Sequence, residues 1–215
     1  MPAHRIFLLS PASTGGKRAS LLLNERATFP LATQLRMAEG APLGDVFSFL
    51  SGLYFRGKLT YARTFARPPR PKEGSLVITS SRGLVSPDAR VTLDDLRAFA
   101  AVPISADEPR YAAPLTADAE RLANAVGRTA EIILLGSVAS DKYVKVLGEI
   151  FGDLLLFPTD FVGRGDMSRG GLMLRCAREN RELDYIAVAG ATRRGARPAR
   201  LVPIRARRSR PDPAL

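Results

Sequence analysis

The amino-acid sequence predicts an α/β fold: a single domain with a central, mostly parallel sheet flanked by helices, followed by a basic C-terminal segment. Short apolar runs alternate with segments of helical spacing, which is the order typical of parallel sheets covered by helices. Two runs, Glu131–Leu135 and Leu154–Phe157, are almost continuously apolar, as strands buried on both faces are. A chain of 215 residues with 46% hydrophobic residues fits one domain of this kind.

Three further strands are predicted from short apolar runs that end at turn residues: Arg5–Leu9, Leu76–Thr79 and Tyr185–Val188. The residues 80–88 after the second of these, SSRGLVSPD, are predicted to form a turn. Because parallel strands end at one edge of a sheet and ligands bind there, we expect the residues that follow the strands to form a site.

Helices are predicted where apolar residues recur every three or four positions. Gly44–Phe65 has this spacing, with a break at either Gly52 or Gly57, and the segment Pro103–Pro114 is predicted to be a loop. The other predicted helices are Lys17–Asn24, one from a Thr92/Asp95 capping box through Phe99, one that begins at Thr116, one capped by Ser140, and Ser168–Arg178.

The composition excludes several kinds of chemistry. A single cysteine, Cys176, rules out an internal disulfide and a zinc site built on Cys/His clusters, and its apolar neighbours place it in the core. The single histidine, His4, is too close to the N-terminus for a Ser–His–Asp triad, so acid–base roles fall to Asp, Glu, Tyr or Lys. We expect no metal, no resident cofactor, no membrane span and a cytoplasmic location; the oligomeric state stays open.

The net charge of +11 is unevenly distributed, since the residues from Ile186 to Leu215 include eight Arg and one Asp. We therefore predict a boundary between an α/β domain, residues 1–190, and a basic Arg-rich segment, residues 191–215. Two interpretations of this segment stay open. It is either a solvated tail or an arm whose arginines bind the phosphates of a nucleic acid in a salt-dependent way.

Small residues, hydroxyls and cations follow two of the strands, where backbone N–H groups at a helix start favour anions. The candidates after the first strand are Ser10, Ser13 and Lys17, and those after the strand Glu131–Leu135 are Ser137, Ser140, Lys142 and Tyr143. The first segment is not a P-loop, because Pro11 replaces the upstream glycine and Arg18 follows the lysine. The alternative for the second is ordinary helix capping, with the tyrosine in the core.

The third candidate segment is Gly163–Gly171, a glycine-rich stretch that contains two arginines. Arg164 and Arg169 are predicted to clamp an anion, with Asp166 orienting one of them or taking a proton. The alternative is a flexible surface loop without a ligand.

Read in order, five blocks resemble the YaaA family of peroxide-stress-response proteins: Leu8–Ser13, Phe49–Gly57, Ile78–Pro87, Gly136–Tyr143 and Gly163–Met167. The chain departs from the family pattern at Ser13, where the family has Lys, at Arg82, where it has Tyr, and at Phe161, where it has Lys. The resemblance implies an α/β fold with a positively charged cleft, DNA binding and a link to oxidative stress.

Two functions are therefore weighed: nucleic-acid (DNA) binding, and catalysis on a nucleotide, nucleoside or other phosphorylated small molecule. A closed cavity of roughly 300–1,000 Å³ favours the small ligand, whereas an open basic groove favours a polymer. For either function one cleft is predicted, with candidate catalytic residues Asp166, Lys142 and Tyr143, phosphate-binding residues Ser10, Ser13, Lys17, Arg82, Ser137, Ser140, Arg164 and Arg169, and rim residues Tyr54 and Arg56.

Overall fold

A computed structural model describes residues 4–69, 73–199 and 201. Its strands, in chain order, are β1 His4–Leu9, β2 Ala41–Pro42, β3 Ser75–Ile78, β4 Leu84–Val85, β5 Arg90–Val91, β6 Ala130–Leu135, β7 Leu155–Pro158 and β8 Tyr185–Ala187. Six of them form one sheet in the order β4-β3-β1-β6-β7-β8, while β2 and β5 pair separately. The four inner strands are parallel, and only the edge strands β4 and β8 run antiparallel. The predicted α/β class with a mostly parallel sheet is confirmed.

The register of the inner strands brings their carboxyl ends level. Leu9, the last residue of β1, is opposite Val77 of β3 and Leu135 of β6. The chain segments that leave these strands therefore begin side by side at one edge of the sheet, which is where the candidate site is found.

The helices of the described residues are α1 Lys17–Leu23, α2 Pro30–Arg36, α3 Leu43–Ser51, α4 Leu53–Phe65, α5 Leu93–Ala100, α6 Pro109–Val126, α7 Asp141–Phe151 and α8 Asp166–Glu179. The long predicted helix breaks at Gly52, whose φ of +60° suits glycine and separates α3 from α4. The capping box of α5 is present, with Thr92 and Asp95 each accepting the other's backbone N–H.

The sheet has a hydrophobic core on each face. Side chains alternate along β1, so that Phe7 and Leu9 belong to one core while Ile6 and Leu8 belong to the other. Helices α3, α4 and α8 cover the first face, and α6 and α7 cover the second. Cys176 is buried in the first core, as predicted.

The prediction of a loop over 103–114 was wrong, because α6 begins at Pro109. Proline suits the first turn of a helix, whose N–H groups lack intrahelical partners. Pro114 lies further inside α6, where it removes only one backbone hydrogen bond. The turn over 80–88 also contains β4, and α8 begins two residues earlier than predicted.

Only part of the predicted basic segment, residues 191–215, lies within the described residues. In the described part of the basic segment, residues 191–199 and 201, the chain forms no helix or strand. Arg193 in this part forms an ion pair of 3.1 Å with Asp141 at the start of α7. The remaining predicted tail lies outside the described residues. Among the described helices, none has the length and apolar character that a membrane crossing requires.

Candidate functional site

A cavity of about 510 Å³ lies at the carboxyl ends of β1, β3 and β6. Its polar lining is rich in hydroxyl groups and includes one lysine and one carboxylate: Ser10, Ser13, Thr14, Ser51, Tyr54, Ser80, Ser137, Lys142, Tyr143 and Asp166. Its apolar lining consists mainly of Phe47, Phe99, Val102 and Ile104. The cavity therefore has the size and mixed lining of a small-molecule site.

Ser10 is held at the base of this cavity by the end of the neighbouring strand. Its backbone N–H donates to the carbonyl of Leu135 at 3.1 Å, which continues the pairing of β1 with β6 by one residue. Gly136 follows directly, and a Cβ on this glycine would come within 2.9 Å of the Cβ of Ser10. The glycine is therefore required for the two strand ends to close together, and the Ser10 hydroxyl is almost fully buried.

The buried partner of Ser10 is Lys58, in the middle of α4. Lys58 is 0% exposed, and its Nζ lies 2.9 Å from the Oγ of Ser10 and also contacts the Ser10 carbonyl oxygen. The amine lies over the rings of Tyr54, at 4.4 Å, and Phe55, at 4.9 Å. Removal from water lowers the pKa of Lys58 to about 7, with Asp166 opposing and Arg169 reinforcing that effect.

Two tyrosines complete the interior of the cavity. The Tyr54 hydroxyl is buried and makes no hydrogen bond of normal geometry, and burial raises its pKa to about 12, although the nearby Arg169 guanidinium opposes this. Burial also raises the pKa of Tyr143, with the Ser10 hydroxyl opposing. Both phenols therefore stay protonated at neutral pH and act as hydrogen-bond donors, so Tyr143 does not serve as a base there.

The predicted site residues divide into two groups. The cavity lining includes seven of them: Ser10, Ser13, Tyr54, Ser137, Lys142, Tyr143 and Asp166. Six others do not line it: Lys17, Arg56, Arg82, Ser140, Arg164 and Arg169. The expectation that arginines from distant segments meet in this cavity is therefore not met.

Three of the arginines outside the lining have protein partners. Arg82 donates to Asp95 at 2.8 Å, and Arg164 donates to the Asp160 carbonyl at 3.0 Å and to the Ser168 hydroxyl at 3.1 Å. Arg169 is buried and donates twice to the carbonyl of Phe161, at 2.8 and 3.2 Å. The contacts of Arg164 and Arg169 hold the turn between β7 and α8, and the Arg82 contact joins the turn after β3 to α5, so none of the three presents a clamp to a ligand.

The other predicted residues outside the lining are Lys17, Arg56 and Ser140. Lys17 and Arg56 are exposed on α1 and α4. Ser140 occupies the N-cap position of α7, but its hydroxyl accepts no capping hydrogen bond. Asp166 is the first residue of α8; its carboxylate lies 3.7 Å from the guanidinium of Arg169 and also faces the cavity, a position compatible with both of its predicted roles.

Sequence reasoning missed Lys58 and Ser80. Ser80 lies two residues after the end of β3 and its hydroxyl donates to the Phe99 carbonyl at 2.7 Å, so the strand-end rule pointed to it. For Lys58 the signal was its spacing, because it lies four residues after the buried Tyr54, within the buried face of α4. A cation at such a position has to find polar partners inside the protein.

Comparisons with known proteins add no relative. No protein-family model matches this sequence, and no curated protein or solved structure matches it significantly. The function is therefore argued from the cavity itself.

Proposed function

We propose that this cavity binds a nucleotide or another small phosphorylated molecule and is the active site of an enzyme. The observation that carries the proposal is the division of its lining into a hydroxyl-rich part with one lysine and an apolar part with two aromatic rings. A nucleotide has the same two parts, since its base is flat and largely apolar while its sugar and phosphate are polar. The volume of about 510 Å³ is within the usual range for such ligands.

The polar part supplies donors for a phosphate. Lys142 lies in the first turn of α7, an 11-residue helix whose N-terminus carries partial positive charge. Ser137 precedes the same helix at the end of β6, and Ser13 lies in the turn after β1. Among the described residues, Asp166 supplies the carboxylate of the lining, which suits hydrogen bonds to sugar hydroxyls or the uptake of a proton.

The apolar part comes from α3, from α5 and from the segment after α5 that carries Val102 and Ile104. Phe47 and Phe99 lie with ring centroids 6.2 Å apart, and both are almost fully buried in the core. Because the core holds these rings in place, the apolar part of the cavity is formed before a ligand arrives. The half-buried side chains Val102 and Ile104 supply the apolar surface that stays accessible, and this preformed wall binds a base at little cost in side-chain entropy.

Isothermal titration calorimetry with nucleoside monophosphates, the matching nucleosides and inorganic phosphate tests this proposal. We expect at least one nucleotide to bind about tenfold or more tightly than its nucleoside, because the phosphate adds charge-assisted hydrogen bonds. Lys142→Ala is expected to weaken that binding by about tenfold. The matched control is Lys145→Ala on the same helix, whose ammonium pairs with Asp107 outside the cavity.

The proposal is contradicted if no nucleotide or sugar phosphate binds, or if both lysine variants weaken binding equally. Equal weakening would show that the ligand is held by the general positive charge of the protein and not by the cavity.

We propose nucleic-acid binding as a second function, supported by a different observation. The chain carries a net charge of +11, and eight arginines fall between Ile186 and Leu215. Three of them, Arg193, Arg194 and Arg197, are in the described residues. The resemblance of five sequence blocks to the YaaA family supports DNA as the polymer and a role in oxidative stress.

Fluorescence anisotropy with a labelled DNA duplex, measured over a range of salt concentrations, tests the second proposal. We expect affinity to fall steeply with salt, with a slope of about −0.9 per phosphate contacted. A chain that ends at Leu201 loses the four arginines 205, 207, 208 and 210 but keeps the described fold, and its slope should be smaller by up to about 3–4. Undetectable binding at low salt would rule the proposal out.

A further inference from the structure

We propose that Ser10 and Lys58 form a catalytic dyad, in which Ser10 attacks the carbonyl carbon of an ester or thioester carried by the ligand in the cavity. The proposal deepens the proposed function, on which it rests for the position of the substrate. It assigns the reaction class, acyl transfer to water, and the groups that perform it.

The geometry of the pair fits this role. The Ser10 hydroxyl lines the cavity, and the Nζ of Lys58 lies 2.9 Å from its oxygen on the buried side. A neutral amine has one lone pair and two N–H donors. In this position the lone pair accepts the proton of the Ser10 hydroxyl while an N–H donates to the Ser10 carbonyl oxygen, the second contact of Nζ.

The surroundings favour the neutral amine. Tyr54 and Phe55 of α4 present ring faces to Nζ, and neither is a full counter-charge. From α8, Asp166 favours the protonated amine and Arg169 disfavours it. The effect of burial on the pKa of Lys58 is larger than either and leaves that pKa at about 7. From α7, the Tyr143 phenol faces Ser10 and stays protonated. Lys58 therefore exists in part as a base at neutral pH, which is what activation of a serine requires.

A second observation points to the reacting carbonyl. Tyr54 lines the same cavity, and its buried hydroxyl makes no hydrogen bond of normal geometry within the protein. Burial raises its pKa to about 12, so it keeps its proton. A buried O–H donor that finds no acceptor in the protein, on a residue that lines the same cavity as the candidate nucleophile, is suited to stabilise the oxyanion that forms when the serine attacks.

The step balances as follows. The Ser10 Oγ forms a bond to the carbonyl carbon as its proton passes to the Nζ of Lys58, and Tyr54 donates a hydrogen bond to the carbonyl oxygen. The bond to the leaving alcohol or thiol then breaks, and that group takes the proton from Lys58. Water attacks the acyl-serine, again giving a proton to Lys58, and Ser10 leaves with that proton as the acid is released.

The test is covalent labelling by a fluorophosphonate probe, followed by intact-mass and peptide mass spectrometry. We expect one adduct on Ser10, with fluoride as the leaving group. Ser10→Ala should abolish labelling, and Lys58→Met should slow it by about 100-fold, in the range typical of general-base catalysis. Ser75→Ala, which removes a buried serine of β3 that does not line the cavity, is the control and should label at the wild-type rate.

The pH profile provides a measurement that does not depend on any variant's folding. The labelling rate should rise through about pH 7 as Lys58 loses its proton. The dyad is overturned if no adduct forms at every pH tested between 6 and 9, or if the adduct forms on another serine. It is also overturned if the labelling rate changes neither with pH nor in Lys58→Met.

The outcomes separate this inference from the proposed function. If a nucleotide binds but Ser10 is not labelled, the dyad is refuted and the proposed binding site still stands. Labelling of Ser10 without binding of any nucleotide supports the dyad and shows that the acyl substrate belongs to another chemical class.

Discussion

Gly57 of α4 lies against the backbone of Gly170 in α8. A Cβ on Gly57 would come within 2.6 Å of the Gly170 carbonyl oxygen, and a Cβ on Gly170 would come equally close to the Leu53 carbonyl oxygen. The two helices therefore pack with almost no side chain between them. This contact matters for function because α4 carries Tyr54 and Lys58 while α8 carries Asp166.

Gly57→Ala should reduce stability, because the methyl group has to push the two helix backbones apart. Overpacking of this kind costs roughly 1–3 kcal/mol of unfolding free energy. Gly148→Ala is the matched control, since this glycine lies inside α7 with nothing within 4 Å of its added Cβ. The control should be stabilising by up to about 1 kcal/mol. Urea unfolding followed by circular dichroism measures both, and equal effects would refute the close helix contact.

A second pair of variants tests helix capping. Thr92 caps α5 with its side chain and belongs to a complete capping box, whereas Ser140 occupies the same position of α7 without a capping hydrogen bond. Thr92→Ala should cost about 1 kcal/mol of unfolding free energy, and Ser140→Ala less than about 0.5 kcal/mol. The same urea measurement decides it. If the serine variant loses as much as the threonine variant, the Ser140 hydroxyl caps α7 in solution.

The sequence predicted five of the six strands of the main sheet and residues that line the strand-end cavity, but it missed the edge strand β4 and the pair β2 and β5. Short apolar runs predicted the four inner strands, and the rule that ligands bind at their carboxyl ends pointed to Ser10 and Ser137, which both line the cavity. The helix start after β6 gave Lys142 and Tyr143. These predictions succeeded because they depend on local pattern and on topology, both of which the sequence expresses directly.

The arginines and Lys58 could not be assigned in the same way. Whether Arg164 faces a ligand or its own turn depends on where the Asp160 carbonyl and Ser168 lie, which is set by tertiary packing. Lys58 reaches Ser10 across 48 positions of sequence, through the packing of α4 on the sheet. No local pattern encodes such a pairing, although a lysine on an apolar helix face indicates that a buried partner exists.

The arginine assignment has its own test. Arg164→Ala should leave nucleotide affinity within about twofold of wild type, because its side chain does not line the cavity. It should reduce stability by about 1–2 kcal/mol, since two hydrogen bonds of a nearly buried guanidinium are lost. Arg63→Ala is the control, because it removes only an exposed ion pair with Asp88, worth less than about 1 kcal/mol. If Arg164→Ala weakens nucleotide binding by more than about twofold, Arg164 takes part in the site after all.

The pH dependence of stability tests the environment of Lys58 directly. Its pKa is about 7 in the folded protein and 10.5 when exposed, so between these values the unfolded chain holds one more proton than the folded one. The free energy of unfolding therefore gains a contribution that rises with pH across this window, by up to ~1.4 kcal/mol per pH unit, and that is flat below it. Lys58→Met removes the contribution. Cys176 and the buried tyrosines titrate in both proteins, so the difference between the two urea-unfolding curves, measured from pH 6 to 9.5, isolates the lysine. A difference that does not change with pH would mean that Lys58 keeps its proton on folding. A protonated Lys58 could not serve as the base for Ser10.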